Sequence, residues 1–206
     1  MLARFQTRLA AGVLLALTFP TATNAEWHFT PTIGWTFAAD TNLSDPDFGT
    51  SKVHWNFGGS VALLGPGILG VEGTVAWTPG FFAGDGILGK QVVHKSYAVT
   101  MMGNLVLTTP RKWTEYNLRP LLSAGFGYLG VSRTDDVFPD SWHTPAFNIG
   151  GGAVGFFSKR TGVRFDLRYY NSIHRGEEGC PPIGARIPPG CHVRYMTASV
   201  GVVIRR

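Results

Sequence analysis

Few residues in this chain have types and spacing suited to catalysis. His94 and Ser96 stand two positions apart, so on an extended strand they share one face and could serve as a base and a nucleophile. Such a pair also needs an acidic residue behind the base to orient it, and the sequence offers none nearby. We therefore interpret both residues as polar lining of a strand face, and we expect no catalytic residue and no enzymatic activity.

A second set of charged residues suggests ion pairing instead. Between positions 163 and 170 the odd residues are apolar, whereas three of the four even ones are charged. A period of two is typical of a β-strand and places those charges on one face. Charges removed from bulk water need partners. We therefore predict one ion-pair network made of these five residues: Glu72, Arg119, Arg164, Asp166 and Arg168.

The histidines support a weaker hypothesis. Four of them fall near the same ends of predicted strands, at positions 54, 94, 143 and 192. A ring of imidazoles can bind zinc or copper. The two-residue period places only His54 and His94 clearly on a polar face, so we predict no metal site and no cofactor. These two residues are the candidates if a metal does bind.

Composition and the N-terminus indicate one exported domain. The segment from Met1 to Ala25 has two arginines, a short apolar core and small residues before a cleavage position, as a secretory signal does. We predict a signal peptide at 1–25 and one domain at 26–206. No apolar run is long enough for a transmembrane helix. The formal net charge of +5 includes two arginines of the predicted signal, so the basic excess is mild and no nucleic acid partner is expected.

Eight segments of the mature chain alternate apolar and polar residues. The alternation is clear in the first three and the last two and weaker in the fourth to sixth, where glycine is frequent. These segments predict eight strands: 27–38, 53–64, 68–78, 92–107, 118–131, 146–157, 163–170 and 194–206.

The connections and the aromatic residues favour a transmembrane β-barrel. Long polar segments at 39–52, 79–91, 132–145 and 171–193 alternate with shorter turns, which is typical of outer-membrane barrels. An even strand number places both termini in the periplasm. Aromatic residues then form two girdles. The outer one contains Trp35, Phe37, Trp55, Phe57, Trp77, Tyr97, Tyr128, Phe147, Tyr169 and Tyr195, and the periplasmic one contains Trp27, Phe29, Phe156 and Phe157.

The mature chain resembles the small eight-stranded outer-membrane barrels, the OmpA-like β-barrel domain family. The segments that carry the resemblance are 70–73 with 77–82, 102–105, 119–120 with 125–127, 148–152 and 166–169. It implies an all-β, antiparallel up-and-down barrel in the outer membrane of a Gram-negative-type bacterium, and no catalytic residues. The family usually ends in an aromatic residue that the insertion machinery recognises, whereas Arg206 occupies that position here.

Three functional classes remain open. Eight strands enclose a lumen that side chains can fill, so we expect a structural or surface-binding barrel rather than a diffusion pore. The alternatives are a lipid A-modifying enzyme of the acyl hydrolase type, since His94 and Ser96 loosely resemble the His-x-Ser of lipid A deacylases, and a soluble periplasmic barrel that binds an apolar ligand. The expected partners are outer-membrane lipids, lipopolysaccharide and the barrel insertion machinery, while a surface partner stays unknown.

We predict that Cys180 and Cys191 form a disulfide in the last outer loop. Both lie in an exported chain, eleven positions apart, where thiols are oxidised. Closing a loop of this size contributes up to about 3 kcal/mol and orders the proline-rich loop tip. Alkylation of purified, non-reduced protein followed by mass spectrometry should detect no free thiol, and two alkylated cysteines would contradict the pairing.

Overall fold

A computed structural model describes residues 25–41, 53–65, 67–81, 93–110, 118–135, 139–173 and 192–206. Within them are eight strands: β1 Glu26–Thr41, β2 His54–Leu64, β3 Leu69–Pro79, β4 Val93–Thr108, β5 Leu118–Asp135, β6 Pro139–Phe156, β7 Thr161–Ser172 and β8 Val193–Arg205. Each strand pairs antiparallel with the next in sequence, and β8 pairs with β1. The result is a closed barrel, as the sequence predicted.

The two-residue period sorts the side chains between the lumen and the outside. Even-numbered residues face the lumen on β1 as far as Thr36 and on β2 to β4, β6 and β7, and odd-numbered ones do so on β5 and β8. Polar residues such as Thr30, Asn104 and Thr197 are buried in the lumen, whereas Phe126, Leu122 and other large apolar residues are exposed on the outside. This arrangement is the reverse of a soluble barrel.

The structure corrects three sequence-based placements. The segment 132–145 was predicted as a long connection, but β5 and β6 continue through most of it and pair as far as Thr134 with Pro139. Hydrogen bonding to a neighbouring strand sustains a strand there without a clear alternation of residue types. Phe156 and Tyr195 were assigned to the aromatic girdles. Both are buried in the lumen, because their positions share the parity of the inward residues.

We name the two ends of the barrel by their connections. The turn end is where β1 starts and β8 ends, and it includes the turn at 157–160. The loop end is the opposite one, where β1 and β3 end. Two register shifts lie there: one between Phe37 and Asp40 against β8, with Ala38 at a positive φ of 50°, and one between Val93 and Lys95 against β5. The lumen-facing residues between these ends are the candidates for a site.

Glycine at position 152 is required by a close approach of two strands. A Cβ atom on this lumen-facing residue would collide with the carbonyl oxygen of Phe165 and lie 3.1 Å from Asp166 Cα, both on the paired strand β7. Backbone atoms in a sheet cannot move aside as a flexible side chain can. By contrast, a Cβ on the outward-facing Gly73 would meet no atom within 4 Å.

We therefore expect Gly152→Ala to destabilise the barrel by roughly 1–3 kcal/mol, as overpacking does, with Gly73→Ala as the matched control near zero. The measurement is the urea unfolding midpoint of each protein refolded in detergent. Equal midpoints for the two variants would show that β6 and β7 separate easily at this point.

Candidate functional site

The lumen is organised in layers along the barrel axis. Polar groups occupy the turn end, followed by an apolar layer, a charged layer and a second apolar layer at the loop end. The inner apolar cluster, on the turn side, contains Ala62, Leu64, Val106, Leu121, Val154, Phe156 and Val203. The outer apolar cluster, on the loop side, contains Phe81, Ala98, Met102, Leu129, Val131, Ala146, Tyr170, Val193 and Tyr195. Charged side chains between these clusters are shielded from water on both sides.

Four charged residues between the two clusters form what we call the charged quartet. Glu72 comes from β3, and Arg164, Asp166 and Arg168 come from β7. Glu72 bridges the two arginines, because its Oε1 lies 2.5 Å from Arg164 Nη1 and its Oε2 lies 2.7 Å from Arg168 Nη2. Asp166 Oδ2 lies 2.5 Å from Arg164 Nε, and Asp166 Oδ1 lies 3.5 Å from Arg168 Nη2.

The quartet is buried and electrically neutral. None of the four side chains is more than 6% exposed, and two carboxylates face two guanidinium groups. Alternate residues of one strand point to the same face, so Arg164, Asp166 and Arg168 form a row along β7. Glu72 reaches this row from β3. The sequence-based network thus has four of its five members together in one cluster.

The fifth predicted member, Arg119, lies in a second cluster at the turn end. Its Nη1 is 3.7 Å from Glu26 Oε2, and its Nε donates to the Thr109 carbonyl at 3.3 Å. Arg119 is the second residue of β5, so it enters the lumen at the turn end, on the other side of the inner apolar cluster from Arg168. The prediction of one five-membered network is therefore corrected to a charged quartet and a separate turn-end cluster.

This turn-end cluster is built around Glu26. Besides Arg119, His28 Nε2 lies 3.4 Å and Arg205 Nη1 3.6 Å from Glu26 Oε2. The Arg205 guanidinium also stacks 4.5 Å above the Phe156 ring. Glu26 and Arg205 were not among the residues predicted for the network. Their parity was the available signal, because Glu26 shares the polar face of β1 with His28, and Arg205 shares that of β8.

Neutral polar side chains pack beside the quartet. The Asn148 Nδ2 group donates to Asn104 Oδ1 at 2.8 Å. A cavity of about 30 Å³ lies nearby, lined in part by Ser60, Thr197 and Arg168. A polar space of that size suits an ordered water molecule. The lumen at this level is therefore filled by side chains rather than open.

A surface ion pair at the loop end contrasts with the quartet. Arg194 Nε donates to Asp40 Oδ2 at 2.7 Å, and His192 Nε2 lies 3.7 Å from Asp40 Oδ1. This pair lies beyond the outward aromatic residues of the strands, and about half of each side chain is exposed. The hydrogen bond from Arg194 lowers the pKa of the Asp40 carboxyl. Solvent screens such a pair, so it contributes little to stability.

The residues considered for catalysis or metal binding form no site in the described part of the chain. Ser96 lies on the lumen face of β4, while the side chain of His94 is not among those that the structure describes. His54 is half-buried and His143 is exposed. Among the described side chains, no three that could ligate a metal lie together.

Cys180 and Cys191 lie outside the described residues, so their disulfide stays a prediction.

The outer surface carries a continuous apolar band with aromatic residues toward both of its ends. On the loop side, neighbouring strands contribute Trp35, Trp55, Phe57 and Trp77, whose successive ring centroids lie 5.4–6.5 Å apart. On the turn side, Trp27 and Phe29 stack at 6.4 Å. Aliphatic side chains such as Val75, Leu105 and Val202 are exposed between them. Among the described residues, no helix is long and apolar enough to cross a bilayer.

Comparisons with known proteins find similarity in fold. No family model matches the chain, and no curated protein matches it. Among solved structures, Neisserial surface protein A (NspA) is similar with a TM-score of 0.53 at 11% identity, covering 88% of this chain and 98% of that one.

Two further solved structures are similar to the chain in fold at equally low sequence identity. Ail, the attachment invasion locus protein of Yersinia pestis, in complex with the heparin analogue sucrose octasulfate, has a TM-score of 0.51 at 12% identity over 88% of this chain and 98% of its own. The outer membrane protein OprG of Pseudomonas aeruginosa has a TM-score of 0.52 at 10% identity over 89% and 96%. At identities this low, the structural similarity shows a shared fold alone. None of the three proteins is named for a catalysed reaction. The predicted outer-membrane location agrees with these neighbours, and the chain has the fold of the small eight-stranded outer-membrane β-barrels.

Proposed function

We propose that the mature chain is an integral outer-membrane β-barrel with a structural or surface-binding role and a closed lumen. The observation that carries the proposal is the apolar band around the whole outer surface, combined with buried charges inside. Apolar surface of this extent is unfavourable in water, and hydrocarbon is its natural surrounding. Closure of the sheet satisfies the backbone groups that lipid cannot.

A closed lumen is the second part of the proposal. Any continuous water path along the axis has to pass the outer apolar cluster, the charged quartet and the inner apolar cluster in turn. Stacked Tyr170 and Tyr195, with ring centroids 5.0 Å apart, and Phe81, 5.3 Å from Tyr195, fill the loop side. Dry apolar layers oppose ion passage because an ion there loses its hydration. The lumen therefore supports a structural role for the quartet.

The surface-binding part of the proposal concerns the loop end. The strands that flank positions 42–52, 82–92, 136–138 and 174–191 end or begin there. Barrels of this class carry their longer loops outside the cell. Ail was solved with a heparin analogue bound, which indicates that a barrel of this fold can present a binding surface. The surface partner of the present chain is unknown, whereas outer-membrane lipids, lipopolysaccharide and the insertion machinery are the partners we propose.

The two alternative functions receive less support. A lipid A-modifying enzyme needs its nucleophile where the lipid lies, whereas Ser96 is on the lumen-facing side of β4. A soluble barrel that binds an apolar ligand needs an apolar interior and a polar exterior, which is the opposite of the distribution found here. Lipid A mass analysis of cells with and without the protein tests the first alternative, and detergent dependence tests the second.

The location is tested by fractionation. We expect the protein to remain with outer membranes after carbonate extraction and to migrate differently on gels before and after boiling, because closed barrels resist unfolding by detergent at room temperature. Release by carbonate, or a folded protein that stays soluble without detergent, would contradict the proposal.

The structural role of the quartet predicts a specific pattern of stability. Glu72→Ala leaves both arginines without their bridging carboxylate, so we expect a loss of roughly 3–5 kcal/mol, as for other buried pairs that lose one partner. Glu72→Gln should cost less, since its amide oxygen can still accept a hydrogen bond. Asp40→Ala is the control, because it removes an exposed ion pair and should cost at most about 1 kcal/mol.

The measurements are the urea unfolding midpoint of refolded protein in detergent and the conductance of planar bilayers. We expect all variants to stay at background conductance, because both apolar clusters remain in place. A large rise in conductance for Glu72→Ala would indicate that the quartet acts as an ion gate. An unchanged midpoint would show that the Glu72 carboxylate is solvated.

A further inference from the structure

The turn end of the barrel carries an exposed basic patch that the function proposed above does not use. It consists of Lys159 and Arg160, in the turn between β6 and β7, and Arg206, which follows β8. All three residues are exposed. Within the described part of the chain, the ion pairs include none of these three side chains. The patch is therefore a concentration of positive charge open to solvent.

Backbone contacts hold the patch together. The Arg205 N–H donates to the Arg160 carbonyl at 2.7 Å, and the Arg205 Nε donates to the Lys159 carbonyl at 2.8 Å. Arg206 pairs with Trp27 through two backbone hydrogen bonds of 2.9 and 3.1 Å. These contacts fix the turn and the end of β8 side by side. The backbone positions of the three basic residues are thus set by the closed barrel.

The turn itself is ordered by a serine. The backbone N–H groups of Arg160 and Thr161 donate to Ser158 Oγ at 3.2 and 2.9 Å. Such side-chain-to-backbone hydrogen bonds stabilise a tight turn. The two basic side chains of the turn therefore project from a defined backbone, which lowers the entropic cost of engaging a ligand.

Acidic residues near the patch do not neutralise it. Among the described residues at this end, Glu26 is the nearby carboxylate, and it is held by His28, Arg119 and Arg205. The Arg205 side chain is also bound to the Lys159 carbonyl. The charges of Lys159, Arg160 and Arg206 thus remain available for an external anion.

The position of the patch identifies the kind of anion. Trp27 and Phe157 lie next to it and are exposed, at 47% and 71%. Exposed aromatic side chains at the edge of an apolar band mark the level of the lipid headgroups. Basic side chains at that level face lipid phosphates, and each contributes about 1 kcal/mol of attraction to an anionic membrane surface. The chemistry that matches is a phosphodiester with a net negative charge.

We propose that Lys159, Arg160 and Arg206 form a binding site for the headgroup of an anionic phospholipid, of the phosphatidylglycerol class, in the periplasmic leaflet. The inference rests on the membrane-spanning role proposed above and adds a lipid preference at one end of the barrel. Arg206, held beside Trp27 by two backbone hydrogen bonds, then serves as one of the lipid anchors.

Trp27 provides a reporter for the test. Wild-type protein is inserted into vesicles of phosphatidylcholine and phosphatidylglycerol at 7:3, with bromine on the acyl chains of one lipid or the other as a fluorescence quencher. Subtraction of the signal of Trp27→Phe isolates the quenching of Trp27. From these data we obtain the affinity of phosphatidylglycerol relative to phosphatidylcholine at this site.

We expect a relative affinity of about tenfold in wild type, a fall to near unity in K159Q/R160Q/R206Q, and a similar fall in 0.5 M salt, which screens exposed charges. The conservative variant R160K/R206K should keep the preference. Arg194→Gln removes a positive charge at the loop end and serves as the matched control with no effect. If the triple variant does not show the heat-shifted band of a folded barrel, the single variant Arg160→Gln, in an exposed turn, replaces it with a smaller expected fall.

A wild-type preference near unity, or a preference that the triple variant retains, would overturn the inference. Co-sedimentation with peptidoglycan that the triple variant loses, together with equal lipid affinities, would assign the patch to the cell wall and overturn the lipid site. A wild-type chain that does not insert into vesicles would overturn the function proposed above and the lipid site with it. Insertion without lipid preference would overturn the lipid site alone.

Discussion

Closure of the sheet between β1 and β8 is the constraint on which the rest of the structure depends. Lipid offers no hydrogen bonds to a strand edge, so a membrane-spanning sheet has to pair its first and last strands. Here the seam runs from the turn end, where Trp27 pairs with Arg206, to Thr41 and Val193 at the loop end. Once closed, the barrel has only two environments. Each strand then places alternate residues in lipid and in the lumen.

A narrow closed lumen in turn determines how charge is accommodated. Buried charges are expensive unless each has a partner, and the four residues of the charged quartet pair into a neutral group. The same rule applies at the turn end, where Glu26 is surrounded by cationic side chains. Apolar clusters on both sides of the quartet exclude bulk water and strengthen its ion pairs. The layering thus supports the proposed structural role of these charges rather than a part in a conducting path.

The two ends of the barrel differ in chemistry because they differ in chain geometry. Near the turn end, the compact turn at 157–160 and the end of β8 hold three exposed basic side chains next to aromatic residues. At the loop end, the charge of Arg194 is balanced by Asp40. The proposed lipid site and the proposed surface contacts thus lie at opposite ends of the barrel.

The sequence by itself determined, for most strand positions, which residues face lipid and which face the lumen. A period of two is a local property, so the alternation at 163–170 was sufficient to put Arg164, Asp166 and Arg168 on one face. The same parity placed Glu72 in the lumen, and it could have identified Phe156 and Tyr195 as inward residues. Eight strands, their order and the barrel class followed from these local patterns and from the alternation of connection lengths.

Only the tertiary structure decided which lumen residues meet. Partners across the lumen depend on the tilt and stagger of strands that are distant in sequence, and no local period contains that information. Stagger brings Glu72 of β3 between two arginines of β7 and leaves Arg119 of β5 with Glu26. Strand pairing likewise extends β5 and β6 beyond their clear alternation, because main-chain hydrogen bonds do not depend on side-chain type. The sequence thus sets the face that each residue occupies, and the closed barrel sets its partner.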